Sequence, residues 1–544
     1  MSDNHPTPPT LAPPRVSGGL PFLGHLLQLR RSPIELMRRA HEECGELAEL
    51  RFANQPVVMM YGETAHEAFF RAPESQLDQA AAYPFMTPIF GAGVVFDATP
   101  EQRQQALRNA SLRDKMMRGH AQTIADETER MIATWGDEGE IDLLEVFSEL
   151  TIYTSSACLI GKEFREELTP EYATLFKDLE KGTDAIAYVN AHLPLPSFWK
   201  RDRARAALVA RLQDIIDRRQ AAGRKTKDLI GVLTQLVNED GTPRYSADQI
   251  TGMFISMMFA GHHTTSGTAA WMVIELLRNP RELVRVVDEL EALYADGSEV
   301  SYQALRSIPH LEGALKETLR LHPPLVILMR KVQEDFPFKD WTIAAGKTVA
   351  VSPAVSNRMP EHFTDPERFD PSRYTGGRDE DKRVFAWLPF GAGRHRCVGA
   401  AFAMIQLKAI FSILLRRYDL ELAQPPDSYR HDHSKMVVQL QHPCRVRYRK
   451  RAAPIHAPTT PTAAAPASEP AAVGPARVSV DRDLCQGHGV CVGECPEVFA
   501  VDETDMKVRV LTDLVDDELR PAVERAVRYC PTRALTLHHV DNDD

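Results

Sequence analysis

The stretch FGAGRHRCVG, Phe390 to Gly399, carries the first residues suited to chemistry. Glycines at 391, 393 and 399 allow tight turning and close approach to a flat surface, and they surround Cys397, with His395 and Arg396 beside it. A cysteine so presented can bind a metal as thiolate. The plainer alternative is a glycine-rich loop around an ordinary buried thiol. Gly391 and Gly393 form a G-x-G, but Arg396 stands where a third glycine is needed, so no dinucleotide site follows.

A second set lies near the C-terminus, in CQGHGVCVGECP and a later YCP. Bacterial iron–sulfur runs read C-x2-C-x2-C-x3-C-P, and a remote Cys-Pro completes single-cluster versions. Cys485, Cys491 and Cys530 fill three of those positions, while His488 replaces the second cysteine. Three thiolates suit a [3Fe-4S] cluster; a [4Fe-4S] cluster needs His488 or another ligand. Cys495 occupies the place that would serve a second cluster and reads as a spare thiol. Zinc is the competing metal, but the gap between Cys485 and Cys491 is poor for a zinc ribbon, so iron–sulfur is preferred.

Other polar residues fall inside apolar surroundings. ITGMFISMMFAGHHTTSGTAAWMVIELL is apolar on nearly every side and reads as a helix through a domain centre. Ser246 with Gln249 makes a capping-box start and Asn279-Pro280 a stop. About 32 residues then span about 48 Å. Midway stand Ala260, Gly261, His262, His263, Thr264 and Thr265. Buried hydroxyls and imidazoles need partners, and a satisfied polar notch in a core is the bland explanation. Glu317 and Arg320, three apart in ETLRLHPP, project from one helix face, where an isolated pair is usually a surface ion pair.

These residues need scaffolds, and 544 residues are enough for at least two. Residues 1–450 read as mainly α with small β-sheets. The segment 451–477 is Ala/Pro/Thr-rich with few large apolar side chains, the composition of a flexible linker. Residues 478–544 read as a small α+β module with 15 acidic against 7 basic residues, so −8 of the net −11 sits there. Such a module suits docking on a basic patch, with steering that weakens in salt. The acidic balance argues against nucleic acid as a partner. No transmembrane span is expected, and the N-terminus lacks the flank and core of a signal peptide, so a cytoplasmic protein is predicted. Cys44, Cys158 and Cys444 are scattered and read as core or surface thiols.

The loop from Phe390 to Gly399 resembles the haem-binding loop of cytochromes P-450, Phe-x-x-Gly-x-x-x-Cys-x-Gly, without departure. The resemblance implies the cytochrome P-450 fold, haem b and Cys397 as its thiolate ligand. It also implies His395 at a haem propionate, a structural network of Glu317, Arg320 and Arg368 (the last from PERF), and Thr264 in proton delivery to dioxygen. Most members place an acid before that threonine; here stands His263, which is typical of sterol 14α-demethylases. AYPFMTPIFGAGVVFD resembles the signature of that same subfamily. It implies Tyr83, with Arg108 and Arg330, near the propionates. Phe85, Met86, Phe90, Phe259, Ala260, Leu328 and Met436 then form the walls of a flat apolar cavity. With its tail, the chain looks like a bacterial sterol 14α-demethylase–ferredoxin fusion. That family oxidises a 14α-methyl group in three steps to alcohol, aldehyde and formate. No flavin or nicotinamide fingerprint appears, so an external NAD(P)H-dependent ferredoxin reductase is expected. A sterol substrate is compatible with peripheral membrane contact. Rival readings are a cytochrome P-450 acting on another apolar substrate and a non-catalytic haem redox protein.

Overall fold

The computed structural model describes residues 11–452 and 476–539, except 54, 95–113, 169, 181, 183–186, 188–189, 226–227, 239, 376 and 503. Arg108 lies outside the described residues, as does most of the expected linker.

Strands β1 (Leu47–Phe52) and β2 (Gln55–Met60) precede helix α1 (Glu63–Arg71) and the short β3 (Leu77–Asp78). Helix α2 (Asp114–Ile132), β4 (Glu138–Asp142) and α3 (Leu143–Ser155) follow, and then the central α4 (Ala247–Arg278). Helix α5 (Pro309–Leu321) leads to β5 (Leu328–Val332) and β6 (Thr348–Val351), and α6 (Ala400–Arg417) to β7 (Tyr418–Leu422) and β8 (Arg445–Lys450). Two sheets result, ordered β1-β2-β6-β5-β3 and β4-β8-β7. The first is mixed, β2 running parallel to β6 and the other pairs antiparallel.

Helix α4 spans 32 residues because both its ends are specified locally. The Ser246 hydroxyl accepts from the Gln249 N–H at 3.2 Å, and Gln249 Oε1 accepts from the Ser246 N–H at 3.0 Å. Asn279 and Pro280 end it. Its second half, Thr265 to Leu276, is buried without interruption, which is why no polar stripe marks its sequence. Gly252 lets the first half press against the segment before it: an added Cβ would lie 2.0 Å from the Phe90 carbonyl oxygen. Helix α3 packs along α4 and continues into one π-helical turn, Ser156–Ile160. By length and composition the stretch Leu143–Ile160 could cross a membrane, but it is mostly buried against its neighbours, as expected of a core helix.

The small module has its own sheet. Strand β9 (Ala476–Val480) pairs antiparallel with β12 (Leu514–Val515) and β13 (Leu535–His539), beside a hairpin of β10 (Phe499–Val501) and β11 (Val508–Val510). Helices α7 (Val490–Glu494) and α8 (Arg520–Tyr529) pack together over it. One contiguous apolar cluster runs from Phe70, Phe385, Leu388 and Ala392 in the large body into Leu484, Cys485 and Cys491 of the module.

Candidate active site and its electron-transfer face

The thiolate loop is held from both ends. The Cys397 N–H donates to the Phe390 carbonyl at 2.9 Å, and α6 begins three residues beyond the cysteine. Gly393 has φ +61°, and an added Cβ would meet the Phe70 carbonyl oxygen of α1 at 2.3 Å, so only glycine lets the loop lie this close. Cys397 is accessible, yet burial raises its thiol. The Gly399 N–H, the charge of Arg396 and the N-terminal end of α6 oppose that rise, and all three favour the anion. This donor set fits a thiolate ligand to haem iron.

Across the fold, Ala260 is exposed although it lies mid-helix, close to buried Phe259 and His262. The Thr264 hydroxyl donates to the Ala260 carbonyl at 2.6 Å. The backbone stays helical through Gly261. The two neighbouring histidines divide. His262 is buried and shares a 3.0 Å hydrogen bond with the Thr151 hydroxyl of α3, and burial holds it well below the usual imidazole range, so it is neutral packing. His263 is only half-buried, and its ring lies edge-on to Phe259 at 5.7 Å between centroids.

The other expected site residues form two linked walls. The Tyr83 hydroxyl accepts the Met329 N–H at 2.9 Å, which places it on β5 between Leu328 and the buried Arg330. Leu328 in turn lies 3.8 Å from where a Cβ on Gly391 would sit. Tyr83 and Phe85 rings are 5.9 Å apart, and Phe90 stands edge-on to Phe259 at 5.8 Å. Phe85, Met86, Phe90 and Phe259 are all buried. Basic Arg330 beside the Tyr83 phenol suits an anionic ring substituent. His395 pairs with Glu74, Nε2 to Oε1 at 3.3 Å. Met436 is half-buried against the main core.

The bracing network differs from expectation in one member. Glu317 and Arg320 form a bidentate pair at 2.8 Å for both contacts, each side chain fully buried. Arg368 does not join through its side chain, which is exposed; its carbonyl oxygen accepts from Arg320 at 3.1 Å and from Arg373 at 3.3 Å. The second arginine is Arg373, whose Nε donates to Glu317 Oε1 at 3.0 Å, while the Tyr374 hydroxyl donates to Oε2 at 2.8 Å. The physical reason is reach: Pro371 opens a short 3-10 turn that carries Arg373 inward, whereas Arg368 precedes it on the outside. The signal was present in FDPSRY, overshadowed by the literal PERF before it.

In the module, Cys485, Cys491 and Cys530 converge. Cys485 Sγ accepts the Val508 N–H and Cys530 Sγ the Ala534 N–H, both at 3.3 Å, and burial with the two neighbouring sulfurs pushes the Cys491 thiol up to about 12. Backbone N–H donors on sulfur suit cluster thiolates. Cys495 is fully buried on the far end of α7 with its sulfur toward Glu497. His488 is half-buried beside them.

The module seats these cysteines on the thiolate loop. Gln486 Nε2 donates to the Arg396 carbonyl at 3.0 Å. Arg71 pairs with Asp481 at 2.9 Å, and Arg306 with Glu494 at 2.6 Å. The Arg306 guanidinium also lies 3.6 Å from the Tyr529 ring centroid. Arg533 of the module reaches the buried Asp381, which Lys316 also holds at 3.0 Å. Two of these three ion pairs set an arginine of the large body against a carboxylate of the acidic module, in the sense the charge balance suggested.

Residues 13–447 match the cytochrome P450 family, here written cytochrome P-450, and the chain belongs to it. Residues 478–537 match the 4Fe-4S single cluster domain. The chain is therefore a haem-thiolate monooxygenase carrying an iron–sulfur module. It is 58% identical over 445 residues to the sterol 14alpha-demethylase of Mycobacterium tuberculosis, covering 81% of this chain and 99% of that one. It is 35% identical over 449 residues to the sterol 14-demethylase of Arabidopsis thaliana, covering 81% and 91%. A retinoic acid-bound cyanobacterial cytochrome P-450 shares the fold at TM-score 0.71 and 23% identity, covering 82% of this chain and all of that one.

Proposed function

We propose that the chain removes the 14α-methyl group of a lanosterol-like sterol by three successive oxygenations, with electrons supplied by its own module. The observation that carries this reading is the relationship just described: 58% identity across nearly the whole of a sterol 14alpha-demethylase. The docked module adds the donor. When bound, haem supplies oxygen activation, which the thiolate promotes by donating electron density toward O–O cleavage. The chain's own residues do the rest. Phe85, Met86, Phe90 and Phe259 hold a flat apolar substrate and exclude water. Thr264 Oγ1 and half-buried His263 would pass protons toward bound oxygen. Arg330 and Tyr83 would help to hold the haem. Purified full-length protein with a ferredoxin reductase, NAD(P)H and lanosterol should yield 14-demethylated sterol and formate. A fatty acid oxidised in its place, with sterol untouched, would move the substrate to another apolar class.

Residues 1–450, 451–477 and 478–544 are read as catalytic domain, linker and ferredoxin. Cys485, Cys491 and Cys530 hold one iron–sulfur cluster in this reading: [3Fe-4S] on three thiolates, or [4Fe-4S], the type of the matched domain, if His488 or another group supplies the fourth ligand. Against zinc, the one tight group of three or more candidate ligand atoms among the described residues is Asp142, His442 and Cys444, so the three module sulfurs do not all lie within 4.8 Å of one another. An external NAD(P)H-dependent reductase refills the cluster. Exposed Phe22, Leu23, Leu26 and Leu27, followed by Arg30 and Arg31, support peripheral contact with a membrane that stores the substrate.

Two outcomes follow. Thr264→Ala should keep consuming NAD(P)H and oxygen while product falls about 100-fold, the lower range for a lost proton-transfer group; electron consumption and sterol product are counted together. Cys485→Ala should abolish haem reduction by the reductase system but leave the dithionite-reduced protein able to bind carbon monoxide. Undiminished reduction in that variant would remove the module as donor.

A further inference from the structure

We infer that Gln486 is a positioning residue for electron transfer, setting the register of the cluster loop on the thiolate loop of the same chain. The inference rests on the module being the donor. Gln486 follows the cluster cysteine Cys485 and Arg396 precedes the haem ligand Cys397, so one hydrogen bond, Nε2–H to the Arg396 carbonyl at 3.0 Å, ties the two metal-binding loops together. Arg396 is buried, which removes bulk water as an alternative donor to its carbonyl. A carbonyl acceptor also dictates which way the amide faces, because only the NH2 end can donate.

The remaining contacts show why this bond serves register and not attachment. Asp481 lies ahead of Cys485 and pairs with Arg71; Glu494, just after Cys491, pairs with Arg306. Tyr529 and Arg533, on either side of Cys530, meet Arg306 and Asp381. Every cysteine-bearing segment is thus anchored separately to the large body, and one contiguous apolar cluster joins the two. Loss of one neutral hydrogen bond leaves these anchors in place. It frees only the approach of the Cys485 loop to the Cys397 loop. The step served is a one-electron transfer: the reduced cluster is oxidised by one electron, ferric haem iron is reduced by one, and the NAD(P)H-dependent reductase restores the cluster.

The test uses full-length protein loaded with haem and cluster. Haem reduction under carbon monoxide is followed after rapid reduction of the cluster, and hydrogen exchange is measured over residues 390–399. Gln486→Leu should slow transfer about tenfold, about 1.4 kcal/mol. The rate should stay first-order and independent of protein concentration. Exchange protection of the loop, the cluster spectrum and the dithionite–carbon monoxide spectrum should be unchanged. Gln486→Glu should be equally slow at high pH and recover as pH falls, because only the protonated carboxyl donates. An unchanged rate in Gln486→Leu overturns the inference while leaving the donor reading intact. Slow transfer accompanied by lost protection at 390–399 also overturns it, since Gln486 would then be an anchor. Absence of cluster-to-haem transfer in the unaltered protein instead defeats the donor reading itself.

Discussion

Cys397→Ser protein should lose the long-wavelength carbonyl Soret band and all sterol turnover, while its iron–sulfur absorption stays intact. The reasoning starts from the sulfur's surroundings. Burial alone disfavours a thiolate, and the thiol is raised accordingly. The Gly399 N–H, Arg396 and the start of the 18-residue α6 all act in the opposite sense, an arrangement that gains nothing from a neutral thiol. Coordination completes the balance, because a metal takes the deprotonated form and releases the proton. A serine keeps the loop's size but offers a far weaker, harder ligand, so haem that still binds should behave as a non-thiolate haem. The cluster reports folding independently, since its ligands lie in the module. A carbonyl spectrum unchanged from that of the native protein would refute thiolate ligation by residue 397.

Much of this site was readable because its determinants are local. The capping pair Ser246 and Gln249 and the stop at Asn279-Pro280 delimit α4 with no help from tertiary structure. The glycines of the thiolate loop announce close approach, and the contact of Gly393 with α1 supplies the reason. What stayed hidden depends on residues far apart in the chain. Nothing near His262 in sequence tells that its ring will share a hydrogen bond with Thr151, or that His263 will lie edge-on to Phe259. The acidic module implied a basic dock, but the pairing of Arg306 with Glu494 and the reversed pair Asp381–Arg533 follow from how two folded surfaces meet. Gln486 carries no motif at all; its partner is a backbone carbonyl, which leaves no trace in residue type.

The exchange of Arg368 for Arg373 leads to the second large expectation. Glu317 is fully buried, and its two oxygens receive Arg320, Arg373, the Tyr374 hydroxyl and the Asp370 N–H at 2.8–3.0 Å. Replacing such a group by hydrophobic residues of like volume can be neutral, but removing one partner strands charge in the interior and costs about 3–5 kcal/mol. Arg373→Ala should therefore unfold at markedly lower denaturant and retain little haem, because the same arginine also ties down the carbonyls of Thr364, Asp365 and Arg368. Arg368→Ala removes an exposed side chain and keeps the carbonyl that the network uses, so its stability should stay within about 0.5 kcal/mol of the parent. Denaturant midpoints and haem content, measured on the two variants side by side, discriminate sharply. Equal, small effects would mean that Arg320, the Tyr374 hydroxyl and the Asp370 N–H hold Glu317 well enough without Arg373. A large effect at Arg368 with none at Arg373 would return the brace to the literal PERF arginine and contradict the geometry around Glu317.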